Sequence, residues 1–253
     1  MTAEIAIMNK MGIALAADSA VTIANRGDLK KIYNTANKLF MLSRHHPVGI
    51  MIYGNSQLHH VPWETIIKIY RKKLGKRVFK TLHQYTSDFT SFLCKFFSPS
   101  EQENHFYLNV AGFFFNYIYS EIDEKIEKIT HEKGEIEQNE ITNVAKTVVD
   151  RHYELITSED DLTCFPKNYL SKIKKIYKKT LDKVIDDVFE ELPFDQNTLS
   201  RLKEVGFLFC VKDVFVNSTS GVVIAGFGND EIFPALYSIS IDGVINGYLF
   251  RFT

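Results

Sequence analysis

The sequence is poor in cysteine, has no apolar run of transmembrane length, and carries almost no net charge. Its three cysteines, Cys94, Cys164 and Cys210, are far apart. An odd, sparse set spells neither a disulfide framework nor a metal-type spacing, and it suits a reducing compartment. No stretch is long and apolar enough for a membrane span, and no charged start followed by an apolar h-region marks a signal peptide. A cytoplasmic location is the expectation. Thirty Lys and Arg against 31 Asp and Glu leave a net charge of −1. That offers no long-range pull on nucleic acid or on an anionic membrane, so neither is an expected partner. Repeats and low-complexity tracts are absent. Gly226-Phe-Gly228 lacks the third glycine and following helix of a phosphate loop, and His131-Glu132 lacks the second histidine of a zincin helix.

What is present begins at the first residue. Met1 is followed by Thr2, a small residue, so aminopeptidase trimming is expected to leave Thr2 as the mature N-terminus. Ala3–Met8 and Ile13–Ala17 are apolar runs with little polar alternation, which predicts two strands buried on both faces. Asn9-Lys-Met-Gly12 between them reads as a tight hairpin turn. The second strand then returns Asp18 beside the start of the first. A hydroxyl, an α-amine and a carboxylate are gathered at one sheet edge. A threonine hydroxyl needs a base to become a nucleophile. A free α-amine, with a pKa of about 7.7–8.0, is partly neutral near pH 7 and can serve as that base on its own residue.

Further segments accumulate. Asp18-Ser-Ala-Val-Thr22 follows the second strand, Asn37–Leu42 reads as a third strand and Pro47–Gly54 as a fourth. Gly221–Gly228 and Pro234–Gly243 come much later. Taken together these segments resemble the N-terminal nucleophile (Ntn) hydrolases of the proteasome β-subunit type, including the bacterial proteasome-like peptidases. The resemblance covers residues 2–54 and 221–249. It matches Thr2 to the nucleophile, Asp18 to the carboxylate that supports a catalytic lysine, and Lys38 to that lysine. Gly54 matches the glycine whose N–H serves the oxyanion hole, and Thr22 a residue that pairs with substrate backbone. Lys30 and Lys31 are rivals for the lysine, because the spacing from Thr2 is longer here than in the family. The strand leading from Lys38 to Gly54 favours Lys38.

Residues 19–37 are polar and turn-rich and read as a surface loop. His45-His46 and His59-His60 would point to opposite faces of a strand, which makes poor chelates, so surface or substrate-rim positions are expected for them. From Pro62 to Val205 the pattern is helical. Leu170, Ile173, Tyr177, Leu181, Val184 and Val188, for example, recur at helical spacing, with lysines on the other side reading as a solvated face.

The resemblance therefore implies an α+β fold, the four-layer αββα sandwich of the Ntn hydrolases. Residues 1–60 and 206–253 would form the sheet core. Residues 61–205 would supply the family's helices plus a large inserted helical subdomain. Family members continue with a further Ser and Asp near the threonine. No counterpart lies before Thr253, so the resemblance implies a truncated C-terminus. The implied activity is amide-bond hydrolysis by an N-terminal threonine on a peptide or protein substrate, with no cofactor and no metal. Alternatives are an inactive scaffold or subunit of the same fold, and an Ntn amidase acting on a small molecule. Implied partners are further copies of the chain, in a homo-oligomer using aromatics such as Phe113–Phe115 and Tyr117, and an ATP-dependent unfoldase.

Overall fold

The structure, a computed structural model, describes residues 3–19, 21–24, 30–33, 37–97, 101–214 and 219–250, with backbone alone for 21–24 and 30–33. The fold is α+β, with antiparallel sheets and six helices among the described residues. It divides into two compact units, residues 1–98 with 217–253, and residues 99–216.

In the first unit, strands β1 (Glu4–Asn9) and β2 (Gly12–Ala17) form a hairpin in which Asn9 faces Gly12. The turn is closed by the Asn9 side chain, whose Oδ1 accepts from the N–H groups of Met11 (2.7 Å) and Gly12 (3.1 Å). Strands β3 (Val21–Ala24) and β4 (Lys30–Tyr33) form a second hairpin. The expected surface loop at 19–37 therefore contains two strands. Val21, Thr22 and Ile23 on one side and Ile32 and Tyr33 on the other are strand-favouring types, and Asn25, Gly27 and Asp28 lie between them in the sequence.

A four-stranded sheet follows. It is built from β5 (Leu39–Met41), β6 (Val48–Gly54), β9 (Ser220–Gly226) and β10 (Ala235–Ile241), in the order β10-β9-β6-β5. Short pairs β7 (Gln57–Leu58) with β8 (Val61–Pro62), and β11 (Gly243–Ile245) with β12 (Tyr248–Phe250), complete the strands. Helices α1 (Trp63–Leu74) and α2 (Leu82–Phe97) cover one face of the sheet. Alternation decides which face. Ile50 pairs with Ile224 and Ile52 with Val222, and these four join Ile239 and Ile241 in a core with Trp63, Ile66, Tyr70, Phe89 and Phe97. The opposite face carries Gly49, Met51 and Val223, and there β2 lies against the sheet, with Leu15 over Gly49.

The expectation that β1 and β2 are buried on both faces does not hold. Ile13, Leu15 and Ala17 are half-buried, but residues 5–9 of β1 are exposed, with Ile5 at 57% and Ile7 at 66%. The hairpin forms a sheet of two strands among the described residues, so only the inward side of β2 finds a cover.

The second unit is a bundle of α3 (Glu101–Lys133), α4 (Gln138–Ser158), α5 (Tyr169–Phe189) and α6 (Gln196–Leu208). Their apolar stripes meet around Tyr107, Phe115, Ile118, Val148, Ile173 and Leu181, all buried. Tyr107 stacks on Tyr177 at 4.3 Å and donates to Gly206 O at 2.9 Å. The helical span predicted from Pro62 to Val205 is thus split between the units. Its first two helices lie with the sheet, and the remaining four form the bundle from 99 to 216.

Candidate functional site

The C-terminal end of β2 brings together groups that are distant in sequence. The backbone N–H of Asp18 donates to Ala3 O at 3.0 Å, so the residue after Thr2 is held directly against Asp18. The Asp18 carboxylate accepts a hydrogen bond from Lys38 Nζ, and the two form an ion pair. Lys38 is almost fully enclosed, with its side chain 10% exposed, whereas Asp18 is 31% exposed. Lys38 is positioned by its own backbone, because its carbonyl accepts from Ile52 N at 2.9 Å and docks it beside β6. Lys38 holds the Asp18 carboxyl below its ordinary value, by its hydrogen bond and then by its charge, against the opposing effect of burial.

Two residues beyond Ile52 lies Gly54. By strand alternation its N–H points to the side on which Ile52 donates to Lys38. The backbone there has φ +73°, and a Cβ at this position would stand 2.5 Å from Thr219 O. Only glycine fits without displacement. The turn is anchored from β9: Asn55 N donates to Thr219 O at 3.1 Å, Trp63 Nε1 to Ser220 Oγ at 3.0 Å, and Ser220 Oγ to Asn55 O at 3.2 Å.

Of the residues singled out in the sequence, Asp18 and Lys38 are thus in contact, and Gly54 lies on the strand against which Lys38 docks. Thr2 lies outside the described residues. Thr22 is in β3, and its side chain, like those of Lys30 and Lys31 in β4, lies outside them as well.

His59 was expected at a surface or substrate rim and is instead buried, 5% exposed. Neither it nor His60 sits on a strand. Both occupy the turn between β7 and β8 with positive φ, 50° and 63°. His59 Nε2 accepts from Val244 N at 2.8 Å, and its ring lies tilted against Phe97 at 4.7 Å. Nε2 is therefore unprotonated and the imidazole neutral. This histidine ties the β11–β12 hairpin to the core.

A second polar cluster, in the bundle, has no sequence signal because its members come from two helices. Glu121 on α3 accepts from Arg151 and lies 3.0 Å from His152 Nε2, both on α4, and 3.0 Å from Lys125 Nζ. Burial pushes the His152 pKa down, against the pull of Glu121. Among the described residues no group of three or more His, Cys, Asp or Glu is placed to hold a metal ion.

A groove of about 540 Å³ between β2 and the sheet is lined by Ile13, Leu15, Leu39, Met41, Val48 and Phe227 among others. Its lining comes from the turn end of β2 and the start of β6, away from the Asp18 and Gly54 ends of those strands. No helix among the described residues is long and apolar enough to cross a membrane. No protein-family model, curated protein or solved structure matches the chain.

Proposed function

We propose that the protein is an N-terminal threonine amide-bond hydrolase, a proteasome-like peptidase with an Ntn-type αββα core. The observation that carries this reading is the ion pair of the enclosed Lys38 with the partly exposed Asp18 beside Ala3. An isolated surface pair would contribute little to stability. A lysine 10% exposed, held by a carboxylate one residue from the expected nucleophile, suits a different task. Its fixed positive charge lowers the basicity of a neighbouring amine and favours ionisation of a neighbouring hydroxyl.

In this mechanism the free α-amine of Thr2 takes the proton from the Thr2 hydroxyl as the oxygen attacks the amide carbonyl carbon. The carbonyl π electrons move to oxygen, and the oxyanion accepts from the Gly54 N–H. One such donor is worth roughly 3–4 kcal/mol. The ammonium then gives its proton to the leaving nitrogen, the C–N bond breaks, and an ester on Thr2 remains. Water attacks the ester with the same amine as base, which releases the acid and restores the hydroxyl. Asp18 orients Lys38 and takes no proton. Thr22 would pair with the substrate backbone. The layer of α1 and α2, the four-stranded sheet and the β1–β2 hairpin against its other face support the αββ part of the sandwich.

The test is turnover of pooled fluorogenic peptides by four proteins. Thr2→Ala should abolish it. Thr2→Ser, which keeps hydroxyl and amine, should retain measurable activity. Lys38→Ala should cost nearly as much as Thr2→Ala, because residues acting as a unit are not additive. Equal turnover by wild type and Thr2→Ala would sink the mechanism, and no turnover in any of the four would favour the inactive scaffold.

A further inference from the structure

Strand β1 (Glu4–Asn9) has one strand neighbour among the described residues, β2. The Asp18 N–H donates to Ala3 O, and hydrogen bonding along a strand alternates with period two. Residues 3, 5, 7 and 9 therefore direct their backbone groups to β2, while the N–H and C=O of Glu4, Ala6 and Met8 face an edge that no other strand among the described residues covers. Protected edges carry a central charge, a proline or a bulge. Residues 5–9 have no charge and no proline, and Ile5, Ile7 and Met8 are 57%, 66% and 52% exposed. The two ends of the segment are oppositely charged, Glu4 before it and Lys10 after it.

We propose that β1 pairs antiparallel with β1 of a second copy about a two-fold axis at Ile7, which joins two hairpins into one sheet ordered β2-β1-β1-β2. The register follows from charge. Only registers that set the outward-facing even residues opposite one another make hydrogen bonds. Centred on Ile7, Glu4 opposes the partner's Lys10 and Ala6 opposes the partner's Met8, each twice. Centred on Ala6, Glu4 would oppose the partner's Met8; centred on Met8, Lys10 would oppose the partner's Ala6. The Ile7 register alone matches both charges, and the contact is self-complementary as a two-fold interface requires. Within its own chain Lys10 Nζ stands 5.9 Å from the Phe233 ring. Strand pairing of this length makes a small interface, so the dimer forms with rising concentration.

The experiment uses the full chain. At the centre of the register two Ile7 residues form a non-hydrogen-bonded pair with Cα atoms about 4.5 Å apart, within disulfide reach. Mild oxidation of Ile7→Cys at ~100 µM should give a disulfide dimer, with the wild type controlling for the native cysteines. Ile5→Cys alone and Asn9→Cys alone should stay monomeric on non-reducing gels, since each opposes the other residue, but their equimolar mixture should crosslink. Glu4→Lys should weaken association roughly tenfold by light scattering, and Glu4→Lys with Lys10→Glu should restore it; this pair leaves Ile7 in place should Ile7→Cys misfold. A wild type that is monomeric at ~100 µM overturns the proposal. So does a dimer that crosslinks equally from positions 5, 7 and 9, or one that is indifferent to the charge swap.

Discussion

Lys38 is worth most at the scale of single residues, because nothing else among the described residues neutralises Asp18 beside Ala3. Asp18→Asn should leave the lysine without its partner and lose much of the turnover. The pair also fixes a pH dependence. The folded Asp18 carboxyl lies below its ordinary 3.8, so the pair's contribution is fully present above that value and is lost as pH falls through the lowered one. Acid titration of wild type against Asp18→Asn should therefore show curves that run parallel above pH 3.8 and converge below it; curves that stay parallel far into acid, or that coincide already at pH 5, would contradict the pairing. Gly54 makes a second, purely structural prediction. Gly54→Ala forces a Cβ against Thr219 O at φ +73°. A cost of about 1–3 kcal/mol is expected, read as a thermal midpoint lowered by several degrees. An unchanged midpoint would mean that this turn relaxes freely.

Among the elements, the first hairpin was the most legible in the sequence and its environment the least. Asn9-Lys-Met-Gly12 between two apolar runs is a local signal, and β1 and β2 form there with the expected pairing. Burial is not local. The same apolar runs left Ile5 and Ile7 exposed, because what covers a strand is decided by distant elements. The segment after Asp18 reads as loop from its turn residues, yet Val21–Ala24 and Lys30–Tyr33 pair across them. Periodicity marked the span from Pro62 to Val205 as helical, and it could not say that α1 and α2 belong with the sheet rather than the bundle. The contact of Asp18 with Lys38 was legible through the family resemblance alone, and the one between His152 and Glu121 not at all. His59 shows the same limit: a histidine pair looks like surface until the fold brings Val244 N to its Nε2. His59→Ala removes that acceptor and leaves a buried N–H unsatisfied, at a cost of about 1–3 kcal/mol. The amide of Val244 should then lose protection in hydrogen exchange while α1 keeps its own; unchanged protection at Val244 would remove His59 from this role.

Across the whole molecule the two units can be watched separately. Trp63, the single tryptophan, is buried in the first unit, whereas four of the six described helices lie in the second. Fluorescence thus reports the sheet, and the 222 nm ellipticity weighs the bundle. His152, among Glu121, Lys125, Arg151 and Tyr117, has a pKa lowered from 6.5 by burial. Its contribution to stability is complete above 6.5 and declines as pH falls from there toward the lowered value. Between pH 7.5 and 5.5 the ellipticity transition should fall, the fall should shrink in His152→Gln, and the Trp63 transition should not respond to that substitution. An identical fall in both proteins would place the pH sensitivity elsewhere. The central claim concerns the first unit and one atom, the Thr2 hydroxyl oxygen. Its most direct measurement is peptide mass after treatment with a threonine-directed electrophile, a β-lactone or an epoxyketone. The account predicts an N-terminal tryptic peptide that begins at Thr2, ends at Lys10 and carries one adduct, with none on the same peptide of Thr2→Ala and a much reduced yield in Lys38→Ala. A peptide that retains Met1, or equal labelling of wild type and Thr2→Ala, would contradict it.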